Sequence, residues 1–191
     1  VISALENSCN YYFYEVGRRM GIDVLYEFGK KFGLGSYTGI ELYGEAKGIF
    51  ASTEYRKSIN GIWYPGDTLQ AAIGQSDHLF TPIQLANYIA TVANGGKRYK
   101  IHLVKSVKAS SDGSVIFANS PEILESTNLS LANYKAVLSG LKKVSETGTA
   151  SSTFVNFDVP VGSKTGTASV PNGADNGLFV AFAPFDDPQI A

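Results

Sequence analysis

Gly162-Ser163-Lys164-Thr165-Gly166-Thr167-Ala168 is the stretch on which the reading of this chain turns. Small and hydroxyl residues surround a single cation, a composition that suits a strand lying at a sheet edge. There Lys164 presents a fixed positive charge. Gly166 has no Cβ to hold a ligand backbone away. Thr165 and Thr167 offer hydroxyls that suit a carboxylate, and a free strand edge offers N–H groups to an oxyanion. On either side, Val159 to Val170 and Leu178 to Ala183 read as strands joined through Pro171-Asn172-Gly173, a turn-rich connection. Strands joined in this way pair antiparallel. Taken alone, a Lys-Thr-Gly tripeptide is also what an ordinary surface strand carries, so its surroundings decide.

Working outward, the first 35 residues read as helical. Asn7, Ser8 or Asn10 suits the cap of a helix whose apolar positions are Phe13, Val16 and Met20. A second helix fits Val24, Leu25, Phe28 and Phe32, with Gly33 as a left-handed stop. Residues 35–66 carry Gly, Ser and Tyr with little periodicity, which predicts a long, partly ordered loop region with Pro65-Gly66-Asp67 as a turn. Thr81 and Pro82 then suit the N-cap and first position of a helix. Its residues Ile83, Leu85, Ala86, Ile89, Ala90, Val92 and Ala93 are apolar nearly all round, which predicts burial; Gly95-Gly96 ends it. Leu103–Val107 and Val115–Phe117 read as a hairpin around Ser111-Asp112-Gly113. Ser130 caps a last helix with Tyr134, Val137, Leu138, Leu141 and Val144 on one side and Gly148 at its end.

Composition narrows the classes. The chain has 191 residues, 44% hydrophobic and 17% charged, with 11 Tyr and 11 Phe. That is ordinary for a packed domain and argues against disorder. A formal net charge of −1 gives no basic field for nucleic acid or an anionic membrane. One cysteine excludes an intrachain disulfide and leaves the redox compartment open. No apolar run approaches the roughly 20 residues of a membrane span. The sequence opens on Val1-Ile2-Ser3 and closes on Gln189-Ile190-Ala191, which reads like the start of a strand, so both ends are expected to be cut from a longer protein. His78 and His102 are isolated, leaving metal and triad readings without support, and no cofactor is expected. His78 reads as a solvated loop residue, Cys9 as an inward-facing inert thiol, and Trp63 with Tyr64 as buried packing. Lys97, Arg98 and Lys100 read as solvated charge, and Asp186-Asp187 as a turn.

Larger blocks carry a resemblance. Ser8-Cys9-Asn10 and Lys164-Thr165-Gly166 resemble two of the three signature motifs of penicillin-binding proteins and serine β-lactamases. Between them, Ile73-Gly74-Gln75, Thr81 to Asn87 and Ala93-Asn94-Gly95-Gly96 resemble the middle of a high-molecular-weight transpeptidase domain. Gly148-Thr149-Ala150 with Phe154, and Gly177 to Pro184, resemble the segments that flank the Lys-Thr-Gly strand. The blocks stand in the family's order and cover most of the chain, which is similar to the C-terminal part of a class B penicillin-binding protein transpeptidase domain.

The resemblance implies an α+β chain: a partial β-lactamase/transpeptidase-like fold, with a helical subdomain over residues 1–157 and antiparallel strands of an incomplete sheet over 158–191. It implies that Ser8 relays a proton, Asn10 bonds the substrate amide and Lys164 acts on Ser8 through its charge. Thr165, Gly166 and Thr167 would bind substrate, Thr165 and Thr167 its carboxylate, with the Thr167 N–H as half of an oxyanion hole. The family's Ser-x-x-Lys nucleophile is not where the family puts it. Ser3-Ala4-Leu5-Glu6 ends in glutamate, and Ser139-Gly140-Leu141-Lys142 lies after Ser-x-Asn, in a helix matching a non-catalytic part. The implied activity is that of a peptidoglycan D,D-transpeptidase that binds stem peptides and β-lactams at the outer face of a bacterial membrane, beside other cell-wall proteins. These 191 residues alone are expected to be inactive. A serine β-lactamase or β-lactam sensor, and a non-catalytic peptidoglycan- or partner-binding module, are the alternatives. An open sheet edge would favour self-association.

Overall fold

Helix starts in this chain follow their short polar side chains. The computed structural model describes residues 1–170 and 173–191; Pro171 and Asn172 of the expected turn lie outside the described residues. Thr81 Oγ1 accepts from Gln84 N while the Gln84 side chain accepts from Thr81 N, a reciprocal cap that opens the helix Pro82–Ala93. Ser130 Oγ likewise accepts from Asn133 N and opens Leu131–Glu146. The other helices are Ile2–Glu6 (α1), Asn10–Met20 (α2), Ile22–Lys31 (α3), Thr53–Ser58 (α4) and Pro65–Ala72 (α5). The two capped first are thus α6 and α7.

Two parts of the helical reading need correction. The predicted cap from Asn7, Ser8 or Asn10 is absent: Cys9 is the N-cap of α2 and makes no side-chain cap bond, because Ser8 is spent closing α1. The order within 35–66 is the helix α4, and Pro65-Gly66-Asp67 is not a turn. Pro65 is the first residue of α5, and Asp67 Oδ2 accepts from Tyr64 N at 2.8 Å to stabilise its start. α5 is then held by a close crossing with α2, where a Cβ on Gly17 would lie 2.4 Å from Ala72 Cβ.

β1 (Lys97–Tyr99) pairs antiparallel with β4 (Ile123–Ser126), and β2 (Ser106–Lys108) with β3 (Val115–Ala118), the expected hairpin. Lys97 and Lys100 are solvated as expected, but Arg98 is not: its Nε donates to Lys31 O at 3.0 Å. β5 (Gly162–Ala168) pairs antiparallel with β6 (Asn176–Phe182), with Lys164 opposite Val180 and Thr167 opposite Gly177. Ile190 continues this as a bridge to Ala183.

The main core joins α3, α6, α7 and β6 through Phe32, Ile89, Val92, Leu141 and Phe182. Full burial of a side chain such as Phe182 contributes about 1.5–3 kcal/mol. Its ring lies so close over β5 that a Cβ on Gly162 would meet Cζ at 2.3 Å. β5 is pinned to α7 by a buried 2.7 Å hydrogen bond between Ser145 Oγ and Ser163 Oγ. On α3 the inward face is Ile22, Gly29 and Phe32, whereas Val24 and Phe28 are exposed. α6 is embedded as expected, yet its deepest residues include the polar Gln84, Asn87 and Thr91. Gln84 Nε2 donates to Ser36 O and Lys47 O, tying the long loop to the helix.

A smaller core holds Ile22, Ala51 and Ala71, with Trp63 packed against it; Tyr64 is 60% exposed rather than buried. His78 is no solvated loop residue. Its Nδ1 accepts from Ala51 N at 3.1 Å and its Nε2 faces Ala71 O at 3.2 Å. That pairing requires the neutral ring with its proton on Nε2. Phe50 and Phe80 pack against it, and burial lowers its pKa from 6.5 to about 4. The bend at Asp186-Asp187 follows the expected turn.

Candidate active site

α1 ends in a left-handed closure. Ser8 N donates to Leu5 O at 3.2 Å and Cys9 N to Ala4 O at 2.9 Å, with Ser8 at φ +49°. This is the bond pattern of a Schellman stop, where glycine is the usual residue because a Cβ is disfavoured at positive φ. Serine is held there, and its hydroxyl is turned toward β5. Lys164 Nζ donates to Ser8 Oγ across 156 residues of sequence, and to Thr165 O at 2.9 Å.

Lys164 is half-buried and no carboxylate pairs with it among the described residues. Burial therefore lowers its pKa, because the desolvated ammonium has no opposite charge to hold it. A lysine poised this way releases its proton more readily than a solvated one. Asn10 lies at the exposed start of α2, two residues beyond Ser8, and its side chain has no hydrogen bond among the described residues. Ser8 and Lys164 thus meet where the α1–α2 corner reaches β5, and Asn10 follows two residues along that corner.

The remaining strand residues are placed less simply. Thr165 Oγ1 shares a 2.7 Å hydrogen bond with Thr149 Oγ1. Its hydroxyl is therefore already engaged in the free chain. Thr167 is exposed and its carbonyl accepts from Gln75 Nε2 at 2.9 Å. Gly166 is exposed, and a Cβ there would meet Leu178 Cβ at 3.5 Å, an ordinary contact. The chain itself does not demand glycine at 166, so any demand comes from what lies on the strand.

Supporting residues went unseen in the sequence. Thr149 N donates to Glu6 O at 3.2 Å and Thr147 Oγ1 to Glu6 Oε1, so the turn after α7 holds the end of α1. Gly148 permits this: a Cβ would lie 2.3 Å from Glu6 O. For Gly148 and Thr149 the only signal was membership of the Gly148-Thr149-Ala150 block, just as Gln75 appeared only within Ile73-Gly74-Gln75. Cys9 corrects the sequence expectation, since it is exposed. The left-handed turn at Ser8 swings the next residue out at the helix corner. Ser139 is exposed on α7 with no hydrogen bond to Lys142, which sits 3.7 Å from Glu146 and over the Phe185 ring.

Two hollows stand away from this contact. One of about 620 Å³ lies among α3, α6 and α7, lined by Phe28, Phe32, Tyr88 and Val137; another of about 500 Å³ is lined by Phe154, Phe157 and Val161. Neither is lined by Ser8 or Lys164, so the site is marked by its chemistry and not by cavity volume. Among the described residues no cluster of His, Cys, Asp and Glu suits a metal ion, and no helix is long and apolar enough to cross a membrane.

The comparisons with known proteins agree with one another. The penicillin binding protein transpeptidase domain matches residues 1–191. Peptidoglycan D,D-transpeptidase MrdA of Escherichia coli K12 is 32% identical over 209 residues, covering 100% of this chain and 33% of the relative. Penicillin-binding protein 2A of Bacillus subtilis is 32% identical, covering 99% of this chain and 29% of the relative. Among solved structures, PBP2 of Pseudomonas aeruginosa in complex with WCK 5153 superposes with a TM-score of 0.85 at 36% identity, over 98% of this chain and 42% of that one. PBP2 of Helicobacter pylori in complex with MreC gives 0.81 at 28%, over 98% and 34%. The chain spans about a third of the length of these curated relatives. With the α+β fold, the motif order and the full-length family match in agreement, the chain belongs to the penicillin-binding protein transpeptidase family, as part of a class B transpeptidase domain.

Proposed function

We propose that these residues are the Ser-x-Asn and Lys-Thr-Gly part of a peptidoglycan D,D-transpeptidase. The observation that carries this is the hydrogen bond from Lys164 Nζ to Ser8 Oγ. It joins two motifs distant in sequence into one proton path.

In the proposed reaction a serine hydroxyl, supplied from outside these residues, attacks the carbonyl of the penultimate D-alanine of a stem peptide. The C–N bond to the terminal D-alanine breaks and an ester to serine forms. The serine proton reaches the leaving amine through Ser8, whose proton affinity is set by half-buried Lys164. A second amine then attacks the ester and the proton returns along the same path. Asn10 orients the substrate amide, the Thr167 N–H receives part of the oxyanion charge, and Gly166 lets the peptide lie on the strand. Thr165 and Thr167 hold its terminal carboxylate, for which the Thr165 hydroxyl exchanges or shares its bond to Thr149. β-Lactams enter by the same acylation and stop there.

By extension from its relatives, the protein works at the extracytoplasmic face of the membrane with other cell-wall synthesis proteins. The Helicobacter pylori relative in complex with MreC is a guide to such a partner. The β-lactamase, sensor and binding-module readings are not favoured by the relatives, among which the MrdA proteins are peptidoglycan D,D-transpeptidases.

The test is covalent labelling by a fluorescent penicillin, read on a denaturing gel. The full-length gene product should be labelled and its Lys164→Ala variant, still folded by circular dichroism, should not. The 191-residue chain alone should stay unlabelled. Equal labelling of the variant removes Lys164 from the mechanism; a labelled 191-residue chain places the nucleophile within it.

A further inference from the structure

Gln75 stands at a junction that the proton path does not use. It follows α5 in a loop whose backbone is tightly determined. Gly74 has φ +83° and Ser76 φ +66°, on either side of it. Gly74 N donates to Ala71 O at 3.0 Å and Gln75 N to Gln70 O at 3.0 Å. From this fixed base the side chain reaches β5, where Nε2 donates to Thr167 O at 2.9 Å across 92 residues of sequence. Among the described residues it is the hydrogen bond that joins the α5 loop to the Lys-Thr-Gly strand.

The strand geometry says what that bond holds. A residue's N–H and C=O leave a β-strand on the same side. The carbonyls of Thr165 and Thr167, two residues apart, are both taken by side chains, from Lys164 Nζ and Gln75 Nε2. That side is therefore the one turned away from β6, and it carries the Thr167 N–H with it. Toward β6 the strand is paired out to Ala168, opposite Asn176; on the other side, the Gln75 amide is what holds the Thr167 carbonyl among the described residues, one residue before the strand ends. A frayed strand end would let the N–H swing away from a developing oxyanion.

We propose that Gln75 is a positioning residue for the acyl-transfer reaction: its amide holds the Thr167 carbonyl and thereby fixes the direction of the Thr167 N–H toward the reacting carbonyl. This rests on the transpeptidase reading above. A backbone donor aimed in advance stabilises the transition state more than one that must be ordered during reaction. The contact is distinct from the Ser8–Lys164 path and acts on the oxyanion and not on the proton.

The test uses the full-length protein and the second-order rate of acylation by a fluorescent penicillin. Gln75→Glu is isosteric but, as a carboxylate, has no proton to donate and repels the Thr167 carbonyl. We expect acylation slowed roughly ten-fold or more, because one preorganised donor is worth up to about 10²–10³ in rate and here it is loosened, not removed. The melting temperature should stay within about 2 °C, as befits an exposed surface pair. The ratio of the Gln75→Glu rate to the wild-type rate should rise as the pH falls through about 4–5, where the introduced carboxyl gains a proton and can donate. A merely structural role would not move that ratio. Should the wild type itself fail to label, the transpeptidase reading fails. If the wild type labels and Gln75→Glu and Gln75→Ala acylate at its rate, or the slowed variant shows a pH-independent ratio, Gln75 is not a positioning residue.

Discussion

Replacing Gly148 with alanine places a methyl group between α7 and the end of α1. Its carbon would sit 2.3 Å from Glu6 O and 2.9 Å from Val144 Cα, both backbone atoms that no rotamer change can move. Relief to ordinary van der Waals separation needs a displacement of about 1 Å. α7 is anchored in the main core by Leu141 and buries Val144 as well, so the five-residue α1 is the part that yields. Overpacking of this kind destabilises by about 1–3 kcal/mol, and loss of the Thr149 N to Glu6 O bond adds about 1 kcal/mol. Ser8 is two residues beyond Glu6 and moves with it, away from Lys164. A displacement of that size at a reacting group slows chemistry by up to ~10²-fold. In the full-length protein, Gly148→Ala should therefore melt several degrees lower and acylate with a fluorescent penicillin far more slowly than the fall in folded fraction explains. If melting drops but the acylation rate per folded molecule is unchanged, α1 does not set the position of Ser8 and the reasoning is wrong.

Other outcomes follow from the same contacts. Ser8→Gly should leave stability within about 1 kcal/mol of wild type, since the Cβ penalty relieved at φ +49° is offset by loss of the bond from Lys164, while abolishing acylation; urea titration and labelling on one preparation read both. The Ser145–Ser163 bond is buried, so either serine to alanine leaves an unpaired hydroxyl and costs about 1–3 kcal/mol, whereas the double alanine variant should lose much less than the sum. His78 is held neutral, with its folded pKa depressed to about 4 from 6.5. Its contribution is fully present above pH 6.5 and is lost as pH falls toward 4, amounting to roughly 3 kcal/mol. Denaturant melts at pH 7.5 and 5 should show a wild-type loss that His78→Asn lacks; parallel losses would remove His78 as the cause.

Much of the secondary structure was legible because its signals are short-range. Thr81-Pro82 with Gln84, Ser130, the hairpin at Ser111-Asp112-Gly113 and the antiparallel β5–β6 pair each depend on residues within a few positions of one another. Pro65-Gly66-Asp67 shows the limit of that kind of signal. Proline then acidic residue suits a turn and a helix start equally, and packing of α5 against Gly17 decides between them. His78 and Cys9 failed for a related reason. An isolated histidine gives no local sign that two aromatic rings and two backbone groups will enclose it, and the outward face of Cys9 follows from the left-handed turn before it.

For the site, the chain's own letters determined the inventory: a Ser-x-Asn, a Lys-Thr-Gly strand, and the absence of a matching Ser-x-x-Lys. Tertiary structure alone decided that Ser8 and Lys164 touch, that Thr149 occupies the Thr165 hydroxyl, and that Gln75 grips the strand end. Motifs record which groups are present, because side-chain chemistry belongs to each residue by itself. Which groups meet is set by how helices and strands pack, and that depends on shape and volume summed over residues far apart in the chain.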